Sequence, residues 1–269
     1  MSGLSFLTPD EQAVNDSYLE RGHAIRPVSD RAALDRIRDR VATLAAEHLG
    51  LAAPEDPGRF LNHIHERVTP ATLNAIRLHV IRGINAEPWF RPAYFRLART
   101  TLETVVGNEL CMQRRINLSI QLPDDDGSLL PVHADTWSGD SPFEVVVWLP
   151  LVDVYGTKTM YLAPPDIDAP VQARMAEMTS ADAVFRSIEP AVQWLSLSYG
   201  EVLVFNQNLM HGNVVNHEPE TRWSMNCRFK SVMSPFADKK LGEFFEPITL
   251  RAATRVGMEY TLPGGFSDE

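Results

Sequence analysis

The spacing of apolar residues changes once along this chain, near residue 110, and does not change back. Before that point the spacing is helical. Leu34, Ile37, Val41, Leu44 and Leu49 follow one another at mostly three- and four-residue steps, with Ser29 ahead and Gly50 behind. That is the pattern of an amphipathic helix between its punctuation residues. Leu73, Ile76, Val80 and Ile84 repeat it, and "RPAYFRLARTTLETVVG" is a further helix ending at Gly107. At the start, "TPDE" offers Thr8 as N-cap, Pro9 at the first helical position and Glu11 to close a capping box, opening a helix that runs to Gly22.

Beyond residue 110 the spacing alternates. "MQRRINLSIQL" exchanges polar and apolar residues and predicts a half-buried strand. "FEVVVWLPLVDV" is β-branched and aromatic, hence a buried strand. "TMYLAP", "VQWLSLS", "EVLVFN" and "TRWSMNCRFKSV" are further strands, "PDIDAPVQARMAEM" is an insert with some helix, and "ADKKLGEFFEP" is a short helix. Helices followed by a run of strands argue against alternating βαβ units, and neither GxGxxG nor GxxxxGK[ST] occurs. The predicted fold has a mainly β core, a double-stranded β-helix (jelly roll, cupin-like), with N-terminal helices packed on the outside. It is one domain over 1–269: helical support in 1–110, the jelly-roll core in 111–235 with an insert around 165–190, and a C-terminal extension in 236–269.

A chain of 269 residues can bury one large core. Its net charge of -10 sets an acidic surface against phosphate backbones, which argues against nucleic acid and anionic membranes as partners. Cys111 and Cys227 stand alone, so no disulfide framework organises the fold. Isolated thiols, and an opening "MSGLSFLTPDEQ" without signal-peptide character, set the expectation of a cytoplasmic protein.

The chemistry gathers in the β part. In "VHADTW", His133, Asp135 and Trp137 share one face if the segment is a strand. Burying an unpaired carboxylate is costly, and a metal ion is one reason to do so. A third ligand follows in "YGEVLVFNQNLMHGNVVN", where a turn and an apolar strand deliver His211. Two histidines and one carboxylate form the facial triad of non-haem Fe(II) oxygenases, with open positions for a co-substrate. Eleven residues on, Arg222 and Ser224 lie on one strand face, suited to a distal carboxylate. Arg228 falls on the same face (222, 224, 226, 228) and is the alternative anchor.

Together, "HAD", the distal "HG" and the arginine followed by xS resemble the Fe(II)/2-oxoglutarate-dependent oxygenases, in the phytanoyl-CoA-dioxygenase-like branch. The resemblance runs over roughly residues 113–232. It implies Fe(II) at His133, Asp135 and His211, with 2-oxoglutarate and O₂ as co-substrates. It implies co-substrate contacts from Arg222, Ser224, Asn213 and Trp148, with Asn117 or Gln121 in place of the lysine some members carry on the first core strand. The branch's "PGSH" is replaced by "TKTMYLAPP", which speaks against acyl-CoA substrates. The carboxylate at 135 speaks against halogenation. The implied activity is oxidation, foremost hydroxylation, of an unactivated C–H bond of a small polar metabolite such as a sugar, aminocyclitol or amino-acid derivative. Trp137, Arg115 and Arg228 are the candidate substrate contacts.

Two other readings fit parts of the pattern. A metal-dependent cupin, either an isomerase or a 2-oxoglutarate-independent dioxygenase, would keep the triad without needing Arg222. A non-catalytic sugar-binding jelly roll would need no metal. His63 and His65 also suggest a metal pair, but in a helix i and i+2 do not face each other, so they read as solvent-facing or capping residues.

Overall fold

In a computed structural model, residues 6–264 are described; positions 1–5 and 265–269 of the expected 1–269 domain, including the start of the "MSGLSFLTPDEQ" opening, lie outside the described residues. The helices are α1 (Pro9–Arg21), α2 (Arg31–His48), α3 (Pro57–Asn62), α4 (Pro70–Asn85), α5 (Phe90–Val105), α6 (Pro165–Gln172), α7 (Ala181–Ile188) and α8 (Ala252–Glu259). The strands are β1 (His23–Pro27), β2 (Leu110–Gln113), β3 (Asn117–Gln121), β4 (Val145–Pro150), β5 (Tyr161–Leu162), β6 (Gln193–Trp194), β7 (Glu201–Asn206), β8 (His211–Gly212), β9 (Arg222–Ser231) and β10 (Phe245–Pro247).

The predicted start holds in atomic detail. The Thr8 side chain accepts from Glu11 N, the Glu11 carboxylate accepts from Thr8 N, and Gly22 ends α1 at φ 78°. That left-handed cap is open to glycine without steric cost. A Cβ at Gly22 would in addition fall 2.1 Å from Leu209 Cδ1, in the loop that leads to His211.

The strands form two antiparallel sheets. The larger runs β1-β7-β4-β9-β2-β10, with β3 paired to the first half of β9; the smaller runs β6-β5-β8. An isolated bridge between His133 and His211 adds the start of the "HAD" segment to the smaller sheet. This is the jelly roll that the change of period predicts. The N-terminal helices cover the outer face of the larger sheet and share one core with it, from Leu34 and Ile37 through Ile84 and Leu97 to Val147, Val204 and Met225. Buried polar groups fix the helices to strands: Tyr94 Oη donates to Val147 O (2.9 Å), and Trp223 Nε1 donates to Leu61 O (2.9 Å). Asn85, at the end of α4, clamps Ile116 through both its amide atoms (3.0 Å each), setting where β3 begins.

Two local expectations change, and the fold adds one strand that the sequence reading did not include. The strand "MQRRINLSIQL" is two strands, broken at Arg114 and Arg115, both exposed in a bend. The segment "ADKKLGEFFEP" contains no helix: Gly242 takes φ 86° and Phe245 is fully buried, so its end pairs with β2 as β10. β1, whose five residues carry no clear alternation, joins the sheet edge through β7.

Candidate metal and co-substrate site

His133 and His211 face each other across the bridge between the two chain segments, with ring centroids 4.3 Å apart. Each ring is set by its own backbone: His133 Nδ1 lies 2.9 Å from Pro131 O, and His211 Nδ1 lies 2.8 Å from Leu209 O. A carbonyl only accepts, so each Nδ1 carries the proton and each Nε2 presents a lone pair. Asp135 Oδ1 lies 3.6 Å from His133 Nε2 and 4.0 Å from His211 Nε2. The three ligand atoms lie within 4.8 Å of one another. Burial lowers the His211 imidazole to about 4, and the neighbouring His133 pushes in the same direction, so it is neutral and ready to ligate at pH 7. An N₂O donor set with no direct hydrogen bond inside it fits a divalent metal ion with open coordination positions.

Asp135 is oriented from behind. Arg228 Nη2 holds its Oδ2 at 2.9 Å, leaving Oδ1 toward the histidines. Arg228 Nε also donates to Gln207 Oε1 (3.1 Å) and pairs with Asp140 (3.4 Å), and Lys239 from the C-terminal extension closes on Asp140 at 2.6 Å. Gln207 passes the network to Glu144.

A cavity of about 240 Å³ joins the triad to the face of β9, where Arg222, Ser224, Asn226 and Arg228 all line it, as their alternation predicts. Arg222 is buried. Its Nη1 donates to Thr159 O (2.8 Å) and its Nη2 to Ser119 Oγ (3.2 Å), but among the described residues no carboxylate pairs with it. Burial alone lowers its guanidinium to about 10. Its Nε and the Ser224 hydroxyl are buried without a partner. Such groups are costly unless a ligand satisfies them, and a carboxylate would satisfy both.

Trp148 and Asn117 also line this cavity. Asn213 lines it, but its amide is engaged with the preceding loop: Oδ1 accepts from Leu130 N at 2.6 Å and Nδ2 reaches Ser128 O at 3.5 Å. Gln121 is completely buried and absent from the lining; its Nε2 donates to Val214 O (2.6 Å) while Oε1 has no partner.

Trp137 departs from its expected place. The chain stays extended through Ala134 and then leaves that geometry, Asp135–Ser138 forming one turn of 3-10 helix. The indole is therefore rotated off the His133 face. It is 41% exposed and donates to Gln172 Oε1 (3.0 Å), on the insert. Arg115, in its exposed bend, is likewise outside the cavity. Arg228 lines the cavity but is committed to Asp135 and Asp140. His63 and His65 come together after all, because a 3-10 turn over Ile64–Glu66 replaces the expected α-helix. Their ring centroids are 5.9 Å apart, and Glu66 completes a cluster whose ligand atoms lie within 4.8 Å. Ser119 and Phe205 are lining residues the motif reading missed. Ser119 lies two residues from Asn117, so alternation on β3 was the signal for it. Phe205 sits edge-on to His211 at 5.0 Å and carried no such signal.

No family model matches the chain. The streptomycin biosynthesis protein StrG of Streptomyces griseus is 33% identical over 97 residues, which is 36% of this chain. The match spans only about a third (35%) of that curated relative's length. Among solved structures, EctD from S. alaskensis with 2-oxoglutarate and 5-hydroxyectoine aligns with a TM-score of 0.57 and 17% identity, over 87% of this chain and 81% of that one. The non-haem α-ketoglutarate-dependent carbocyclase SnoK from nogalamycin biosynthesis aligns at 0.56 and 16%, over 92% and 100%. The ThoJ–Ni complex, a non-haem monooxygenase, aligns at 0.51 and 17%, over 88% and 84%. The chain therefore shares the fold of these solved structures, and it carries a two-histidine, one-aspartate cluster inside that fold.

Proposed function

We propose that this protein is an Fe(II)- and 2-oxoglutarate-dependent oxygenase that hydroxylates a C–H bond of a small polar metabolite. The balance is R–H + 2-oxoglutarate + O₂ giving R–OH + succinate + CO₂. His133, Asp135 and His211 would hold the iron, and Arg222 with Ser224 would hold the distal carboxylate of 2-oxoglutarate. When bound, the metal and its co-substrates supply the oxidising power for the C–H bond. The chain's own residues bind and orient. The backbone carbonyls of Pro131 and Leu209 keep both Nε2 atoms free for ligation, and Arg228 keeps one oxygen of Asp135 turned inward. Trp148, Val146, Met160 and Phe205 give the cavity its apolar wall. Asn117 and Ser119 add polar atoms on the β3 side.

The observation that carries this reading is the unpaired state of Arg222 in the same cavity as the triad, while Arg228 is neutralised by carboxylates. A metal site that needed no dicarboxylate co-substrate would have no use for a buried, uncompensated guanidinium there. The biosynthetic roles of StrG and SnoK, for streptomycin and nogalamycin, support a small metabolite as substrate.

The test is anaerobic titration of the Fe(II)-loaded protein with 2-oxoglutarate, followed by the visible absorption of the iron chelate, and then succinate formation on admitting O₂. Wild type is expected to show both. Arg222→Ala is expected to weaken 2-oxoglutarate binding by roughly 100-fold, the scale of a lost charge-assisted pair, while Fe(II) binding persists. Absence of a chelate band in wild type would sink the proposal. An unchanged 2-oxoglutarate affinity in Arg222→Ala would remove the anchor.

A further inference from the structure

A second cavity, of about 510 Å³, adjoins the first and shares Asn117, Ser119, Leu130 and Asn226 with it. It lies along β3, between α4 and the loop that leads to His133. Its lining holds two charged residues, Arg77 and Asp125. Asp125 is occupied within its own turn, accepting from Gly127 N (2.9 Å) and Ser128 Oγ (3.2 Å). Arg77 is not. Its side chain makes one hydrogen bond, Nη2 to Asn74 Oδ1 at 2.9 Å, and no ion pair among the described residues. At the junction of the two cavities, Asn117 Nδ2 donates to Asn226 Oδ1 (2.9 Å). The outer halves of both amides, one acceptor and one donor, are left for a polar ligand.

We infer that this second cavity seats the substrate and that Arg77 recognises an anionic group on it, a carboxylate or a phosphate ester. The inference rests on the oxygenase reading above. The substrate's polar body lies against Asn74, Asn117 and Asn226, and its reacting carbon passes the amide pair toward the triad. The physical argument is one of charge. The chain carries a net charge of -10, so an anion gains nothing from the protein's overall field. Asp125 lines the same cleft but is held by its own turn, so an arginine in no ion pair among the described residues supplies the local exception, and its planar fork matches both anions with two parallel hydrogen bonds. Arg222 is already assigned to the co-substrate and Arg228 to Asp135, which leaves Arg77 as the cation for the substrate.

The protein is loaded with Mn(II) in place of iron and with 2-oxoglutarate, so that the co-substrate anchor is filled. Inorganic phosphate and acetate are then titrated separately, following paramagnetic relaxation of the phosphate ³¹P and acetate methyl resonances. Wild type is expected to give a saturable enhancement with at least one probe, and which probe responds distinguishes a phosphate from a carboxylate ligand. Arg77→Gln is expected to weaken that binding at least 10-fold, with Arg77→Lys intermediate. No saturable enhancement with either probe, or an enhancement that Arg77→Gln leaves unchanged, overturns the inference. The Fe(II)–2-oxoglutarate absorption band is recorded on the same preparations. An intact band with flat anion titrations overturns the substrate inference alone, whereas a missing band in wild type counts against the oxygenase reading itself.

Discussion

Arg222 and Arg228 stand six residues apart on one face of β9 and meet opposite electrostatic surroundings. Arg228 is compensated by Asp135 and Asp140, so its work is internal. Removing it has two effects of opposite sign. Coulomb attraction between the carboxylates and a divalent ion would rise with the loss of a nearby cation. Against that, Asp135 Oδ2 would lose its one side-chain tether among the described residues, and the carboxylate would rotate away from the histidines. Orientation is expected to win, because partners that fix a metal ligand typically contribute 10- to 100-fold in affinity. Arg228→Ala should therefore bind Fe(II) at least 10-fold more weakly in equilibrium titration, with Arg228→Lys recovering only part, since an ammonium cannot serve both carboxylates through one planar fork. Tighter binding in Arg228→Ala would show that charge, not orientation, is what Arg228 contributes.

At the scale of elements, β8 is two residues long and positions one of the ligands. Gly212 follows His211 because nothing larger fits: a Cβ there would fall 2.5 Å from Tyr161 Oη and 2.8 Å from Leu130 O. One neighbour is a fully buried tyrosine on β5 and the other is backbone, so neither yields cheaply. Gly212→Ala is expected to cost about 1–3 kcal/mol, as overpacking does, read as a lower urea midpoint of the metal-free protein. An unchanged midpoint would mean the β5–β8 pair is slack. The same elements mark how far the sequence was legible. The helix-to-strand change, the α1 cap, the β9 face and the assembly of His133, Asp135 and His211 all follow from period and spacing. Trp137 was misplaced because strand alternation was extended one step too far. The chain turns into a 3-10 helix at Asp135 itself, and nothing in "HADTW" announces that. Arg115 and the "ADKKLGEFFEP" segment failed for a related reason: a bend and a Gly242 turn interrupt the local pattern. Gln121 obeyed alternation but found a backbone partner, Val214 O, deeper than the cavity. The second cavity was illegible, because α4 and the 122–131 loop meet only in the folded molecule.

For the whole molecule, the helical layer and the larger sheet share one core, and no helix among the described residues is long and apolar enough to cross a membrane. Its stability should carry the signature of the network behind the metal site. Glu144 is buried there, accepting from Ser141 N (2.9 Å) and from Gln207 Nε2 (3.2 Å). Burial pushes its carboxyl up to about 7. Ser141 N–H pulls it down, the Asp140 carboxylate adds to the rise, and Gln207 and Arg228 offset part of it. An acid whose folded value is raised binds its proton more tightly in the native state than in the unfolded chain. Between about 4.5 and about 7 Glu144 therefore holds more of its proton in the native state, and its contribution to stability falls as pH rises through that window. The benefit is complete below the lower value and lost above the upper one. His211, lowered from its ordinary 6.5 to about 4, contributes a slope of opposite sign over much of this window, but it does so in wild type and variant alike, so the difference between the two isolates Glu144. Glu144→Gln abolishes the titration. Although its amide fits Ser141 N–H less well, that penalty is the same at every pH. The difference in unfolding free energy between Glu144→Gln and wild type should thus move in the variant's favour from pH 5 to pH 8, by on the order of 2 kcal/mol. Urea unfolding of both proteins at the two pH values measures it. Parallel shifts of the two proteins would mean that Glu144 is ionised throughout, its charge already compensated by Arg228 through Gln207.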